Sequence, residues 1–168
     1  VLSDLNLSEA TFFNNFTIFK NLRYLDLSQN CFQKMPVFNF LSYLNLNHNC
    51  LEGSVKIRNI EELDLSENSL NNLTVIDTDI LKLLRVSVNS LEKIKLYMPN
   101  DDYRITYLDL SFNRIVVIDS YIIENSLPQS VEILNMKGNQ LESLRENFFY
   151  YETLTYVTDV SKITFLDL

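Results

Sequence analysis

Nucleophilic and acid–base chemistry would have to run through very few residues in this chain. His48 is the one histidine, and Cys31 and Cys50 are the two cysteines. Any Ser-His-Asp or Cys-His arrangement must therefore use His48, which adjoins Asn49 at an expected strand end and reads as a solvated surface residue. One histidine and two cysteines offer no zinc spacing. Two isolated glycines, Gly53 and Gly138, cannot form a phosphate-cradling loop. The neighbouring carboxylates Glu61-Glu62 and Asp101-Asp102 read as exposed strand and loop charges. No catalytic, metal or cofactor constellation emerges, and an enzyme is not expected. What remains is binding chemistry: tyrosines beside carboxylates, recurring at a regular spacing.

That spacing belongs to a repeat, L-x-x-L-x-L-x-x-N-x-L. It runs through Leu22, Leu25, Leu27, Asn30 and Phe32, then Leu41, Leu44, Leu46, Asn49 and Leu51. Ile60, Leu63, Leu65, Asn68 and Leu70 follow, then Leu81, Leu84, Val86, Asn89 and Leu91. Two further copies read Ile105, Leu108, Leu110, Asn113, Ile115 and Val131, Leu134, Met136, Asn139, Leu141. An opening copy is expected at Leu2, Leu5, Leu7 and Phe12 with Ala10 in the asparagine place, and a closing one at Ile163, Leu166 and Leu168. Residues 1–168 thus read as one domain of about eight repeats starting near 2, 22, 41, 60, 81, 105, 131 and 163. No capping segment is evident, so a part of a longer array is expected.

The x-L-x-L core alternates with period two, which makes a short strand with one buried face. A single copy cannot bury its leucines; stacked copies form a parallel sheet over one continuous core. The asparagine can bond backbone groups of its own bend and of the neighbouring coil, replacing the scarce Gly and Pro as turn-maker. The expected fold is an α/β solenoid, a horseshoe with the parallel β-sheet on its concave face. The copies are 20, 19, 19, 21, 24, 26 and 32 residues apart. The early returns are too short for a helix, so mostly short irregular or 3₁₀ returns are expected on the convex face. In the last, longest return, Phe148, Phe149, Tyr150 and Tyr151 are expected to pack a helical turn or loop against the back.

Residues between the leucines should point outward. The third position reads Asp4, Tyr24, Tyr43, Glu62, Leu83, Tyr107, Ile133 and Phe165; the fifth reads Asn6, Asp26, Asn45, Asp64, Arg85, Asp109, Asn135 and Asp167. The seventh reads Ser8, Ser28, Asn47, Ser66, Ser87, Ser111 and Lys137. Tyrosine on a rigid strand gives large contact area at small entropic cost, and carboxylates favour a Lys- or Arg-bearing partner. Tyr24, Asp26, Tyr43, Asn45, Glu62, Asp64, Arg85, Tyr107 and Asp109 are therefore the expected ligand-binding residues, although Asp or Asn before Ser can also be mere filler that solvates the sheet.

The segments LRYLDLSQNCF (22–32), IEELDLSENSL (60–70) and ITYLDLSFNRI (105–115) resemble the leucine-rich repeat family, and the resemblance covers essentially the whole chain. The LDLS-x-N form resembles Toll and Toll-like receptor ectodomains, and the mixture of 19–21- and 24-residue coils resembles the secreted leucine-rich-repeat immune proteins of mosquitoes. The resemblance implies recognition of a protein ligand and pairing with a second repeat protein, as a hetero- or homodimer. The Cys-capped flanks, coiled-coil heptads and cytoplasmic signalling domain of such proteins do not occur in this sequence.

Composition bounds the partner. A net charge of −8 disfavours nucleic acid, and no run of 18 apolar residues suggests membrane insertion within this segment. Cys31 and Cys50 occupy equivalent places on adjacent coils; a disulfide is conceivable, but parallel Cβ directions favour two half-buried thiols. Asn6-Leu7-Ser8, Asn15-Phe16-Thr17 and Asn72-Leu73-Thr74 match the glycosylation sequon, about as often as chance allows among 20 asparagines. An extracellular or secreted immune recognition module is the leading expectation, and a cytoplasmic leucine-rich repeat scaffold or regulatory subunit is the alternative.

Overall fold

The computed structural model describes residues 1–8, 21–36, 38, 41–76, 80–97, 104–118, 131–144 and 156–158. Six short strands lie where the alternation puts them: β1 (Tyr24–Asp26), β2 (Tyr43–Asn45), β4 (Glu62–Asp64), β6 (Leu83–Arg85), β8 (Tyr107–Asp109) and β10 (Ile133–Asn135). With β12 (Tyr156–Thr158) they form one seven-stranded parallel sheet in the order β1-β2-β4-β6-β8-β10-β12. Register is constant: Leu25, Leu44, Leu63, Leu84, Leu108 and Leu134 stand side by side. All six are buried, as are Leu27, Leu46, Leu65, Val86, Leu110 and Met136 two residues on. Burying one such side chain contributes roughly 1.5–3 kcal/mol, so stacking holds the array together.

The ladder outlasts the three-residue strands. Leu27 N–H donates to the Asn45 carbonyl at 2.8 Å and Gln29 N–H to that of Asn47 at 2.9 Å; the same pair of bonds recurs coil after coil. To reach them the eighth residue turns left-handed, with φ of +55° at Gln29, +53° at His48, +55° at Glu67, +53° at Val88, +52° at Phe112 and +71° at Gly138.

The asparagines then stitch coil to coil as expected. Asn68 Nδ2 donates to the carbonyls of Leu65 and Ser66 in its own bend and of Leu46 in the preceding one, at 3.0–3.1 Å, while its Oδ1 accepts Leu51 N–H at 2.9 Å. Asn49, Asn89 and Asn113 repeat the arrangement.

The returns differ from expectation. The one after Phe32 is irregular over its described residues, but the next three are extended. β3 (Glu52–Ile57), β5 (Ser69–Ile76) and β7 (Lys93–Tyr97) form a second parallel sheet, and β9 (Val117–Ile118) pairs with β11 (Ser143–Leu144). No helix, α or 3₁₀, occurs among the described residues. Only 8, 10 and 13 residues lead back to the coils from Ile60, Leu81 and Ile105, and Val55, Ile57, Val75 and Ile76 are β-formers; an extended chain covers that distance and pairs its backbone with its neighbours. Val55, Ile57 and Leu73 turn into the core from this side. The helical turn expected at 148–151 lies outside the described residues.

Both terminal copies sit differently from the leucine spacing. Leu2 N–H donates to Asp26 O and Asp4 N–H to Ser28 O, the bonds that Leu27 and Gln29 make one coil later. Leu2 is therefore a sixth-position residue, not a first, and Asp4 takes the left-handed place at φ +55°. Leu5 stands where the asparagine belongs and cannot bridge; Asn30 Oδ1 accepts both Leu5 and Leu7 N–H. At the other end, Tyr156 and Val157 pair with Ile133 and Leu134, so the strand beside β10 begins 23 residues on, close to the preceding intervals. The copy expected from Ile163 lies outside the described residues.

Candidate protein-binding face

Alternation aims the third and fifth residues of each coil, the first and last of each strand, away from the core, and the register sets them in two columns. Tyr24, Tyr43, Glu62, Leu83, Tyr107 and Ile133 form one; Asp26, Asn45, Asp64, Arg85, Asp109 and Asn135 form the other. All nine expected ligand-binding residues fall on this face. Asp4 and Asn6 do not, because the opening coil is shifted by five positions, and Phe165 and Asp167 lie outside the described residues. Tyr156 stands in register beside Ile133 instead.

The tyrosines at the head of the first column make one unit. The Tyr24 and Tyr43 rings stack with centroids 4.2 Å apart and planes 9° from parallel, while Tyr24 stays 66% exposed. Partial burial, then the carboxylates of Asp26 and Asp64, push the Tyr43 phenol above its ordinary pKa. The group most readily accepted above these rings is a cation. Farther along, the Arg85 guanidinium lies 5.0 Å from the centre of the Tyr107 ring.

The fifth column also has a structural task that spacing alone did not separate from binding. Asp26 Oδ1 accepts Ser28 N–H at 2.9 Å and Ser28 Oγ–H at 2.7 Å; Asp64 and Asp109 accept Ser66 and Ser111 N–H at 2.9 and 3.0 Å. Asn45 and Asn135 do the same for Asn47 and Lys137. These are Asx turns that bend the chain out of the strand. The seventh position is consequently not an outward column throughout: Ser28, Ser66 and Ser111 are buried, and Ser8 belongs to a different place in its coil.

The residues singled out for chemistry are dispersed. His48 is not simply solvated: its Nδ1 meets Glu67 Oε2 at 2.9 Å, one coil over. That bond, with one from Asn47, lowers the Glu67 pKa. A lowered carboxylate pKa stabilises the fold above the unfolded value, and the contribution fades as pH falls through the folded one. Glu61 is lowered similarly by Lys82, whose Nζ lies 2.8 Å away. Cys31 and Cys50 are not joined in a disulfide and both are exposed rather than half-buried; Cys31 Sγ donates to Asn6 Oδ1 at 3.2 Å. Asn72 is half-buried on the central strand of the return sheet, its Oδ1 out of solvent and unbonded, Asn6 is exposed, and Asn15 lies outside the described residues. Among the described residues no cluster of His, Cys, Asp and Glu could hold a metal ion, and no helix is long and apolar enough to cross a membrane.

A family model, Leucine Rich Repeat, matches residues 21–42, the coil that carries the tyrosine stack's first ring. The match supports the leucine-rich repeat family. With the parallel sheet it fits a solenoid-like repeat fold, and leucine-rich repeats typically bind proteins without catalysis. No curated protein matches the chain.

Proposed function

We propose that this chain is a non-catalytic recognition module that binds a basic protein partner across the outward face of its seven-stranded sheet. The carrying observation is the Tyr24–Tyr43 stack, its Tyr24 ring exposed and its Tyr43 ring half-buried, flanked by Asp26, Glu62 and Asp64. Rigid aromatics on a strand, beside carboxylates, are suited to a Lys- or Arg-bearing protein surface and unsuited to phosphate backbones. In this reading residues 1–168 are part of one longer repeat domain, a horseshoe with this face on its concave side. Its setting is extracellular, in an innate-immune receptor or secreted immune factor that pairs with a protein ligand or a second repeat protein.

Selection of a displayed library of random 16-residue peptides tests the binding face directly. Peptides rich in Lys and Arg are expected, and Tyr24→Ala with Tyr43→Ala should weaken them roughly 30-fold, the loss of about 2 kcal/mol typical of an aromatic hot spot. The thermal midpoint should fall by only a few degrees, since the pair contributes about 0.5–1.5 kcal/mol to the fold. Equal loss of folding and binding would make the tyrosines structural. Two exposed cysteines that are not joined in a disulfide favour a second reading, a cytoplasmic scaffold or regulatory subunit. Intact mass of the protein from its native source separates the two, because carbohydrate on Asn6, Asn15 or Asn72 is incompatible with the cytoplasm.

A further inference from the structure

The left-handed eighth position is costly for any side chain except Gly and, to a lesser degree, Asn or Asp. Gly138 fills it in the coil that begins at Val131, and Gln29, His48 and Glu67 are polar residues. Val88 and Phe112 are the exceptions. One is β-branched and the other aromatic; both are left-handed, at +53° and +52°, and both remain about half exposed, at 48% and 51%. They occupy the same position on adjacent coils, at the rim of the sheet where Val88 N–H bonds Ser111 O. The fold explains part of Phe112: its ring lies over Gly138, where an added Cβ would meet Cδ1 at 2.6 Å. Nothing in the fold explains Val88. A strained backbone holding exposed apolar side chains at two successive places is an observation that points to use.

The charges around this rim say what kind of chain it meets. Over the third, fifth, seventh and eighth positions, the three coils from Leu22, Leu41 and Ile60 present Asp26, Glu62, Asp64 and Glu67 and no Lys or Arg. The three coils from Leu81, Ile105 and Val131 present Arg85 and Lys137 against Asp109. The acidic half therefore adjoins a half that is nearly neutral and apolar. We propose that Val88 and Phe112 seat the apolar side chains of the same basic protein segment whose cationic residues lie over Asp26, Glu62 and Asp64, so that the partner crosses the strands in one fixed direction. The inference rests on the binding face proposed above and adds a second contact line with an orientation.

The double substitution Val88→Asn, Phe112→Asn tests it. Asparagine suits the left-handed place, so Val88→Asn alone should hold or raise the thermal midpoint by ~2–4 °C, while Phe112→Asn also uncovers Gly138 and offsets part of that gain. Binding of the library-selected peptides should fall at least tenfold, and the selected peptides should carry their apolar residues at one end and their Lys or Arg at the other. Unchanged capture, with Tyr24→Ala and Tyr43→Ala still weakening it roughly 30-fold, would overturn the rim contact while leaving the binding face intact. No selection above background on the wild-type chain would overturn both. Binding to phosphatidylcholine vesicles that the double substitution removes would make a lipid surface the occupant and sink the peptide proposal. Val88→Asn alone separates the roles, because Phe112 also covers Gly138.

Discussion

Asn113→Ala is expected to destabilise the chain by on the order of 4 kcal/mol and to split its unfolding into two transitions. Asn113 is 6% exposed and serves four backbone groups at once. Its Nδ2 donates to the carbonyls of Leu110 and Ser111 in its own bend and of Val86 in the preceding coil, and its Oδ1 accepts Leu91 N–H at 3.0 Å. Alanine leaves these groups in a space too tight for water to replace every bond, at about 1–3 kcal/mol for each one stranded. Two of the four bonds join different coils, so the loss falls on the coupling between neighbours. In a stack where each coil touches only the next, weakened coupling lets the two sides melt separately. Urea unfolding followed by circular dichroism, with amide exchange on either side of the junction, measures this. Asn113→Asp is the control: it keeps the shape but sets a carboxylate against three carbonyls, and should be at least as damaging. If Asp were tolerated, the ladder's donors would not be what holds the coils together.

Leu84→Ala is the second large effect, at about 2–5 kcal/mol. Leu84 is fully buried on β6, in register between Leu63 and Leu108 near the middle of the sheet. Both neighbours are fixed by paired strands, so the walls cannot close over the missing methyls and a cavity persists. Leu22→Ala at a half-buried first position should cost distinctly less. A denaturation series that ranked the two equally would mean the core is not continuous through the sheet.

The contrast between these side chains explains what the sequence disclosed. Leucine spacing alone is degenerate: Leu2, Leu5 and Leu7 satisfy L-x-x-L-x-L, yet Leu2 occupies the sixth place. The asparagine resolves the register, because only an amide with both donors and an acceptor can bridge two bends. Ala10 in the expected asparagine place was the available warning. At the far end, Val157 followed by Asp159 hid the strand beside β10, since aspartate stands where an inward apolar residue is expected. Where Asn and Leu agree, from Leu22 to Leu141, six strands lie at the expected positions and their third- and fifth-place residues line up on one face. The return sheet was missed because pairing across coils cannot be read from one return at a time. Burial of Ser28, Ser66 and Ser111 was missed because Asx turns rotate the chain just past the strand.

Strand register holds although successive strands begin anywhere from 19 to 26 residues apart. Such a design separates the length of a connector from the placement of the residues on the opposite side. Descendants of this chain can gain or lose segments on one flank, and so acquire new attachments there, without redrawing the pattern of side chains that the other flank presents.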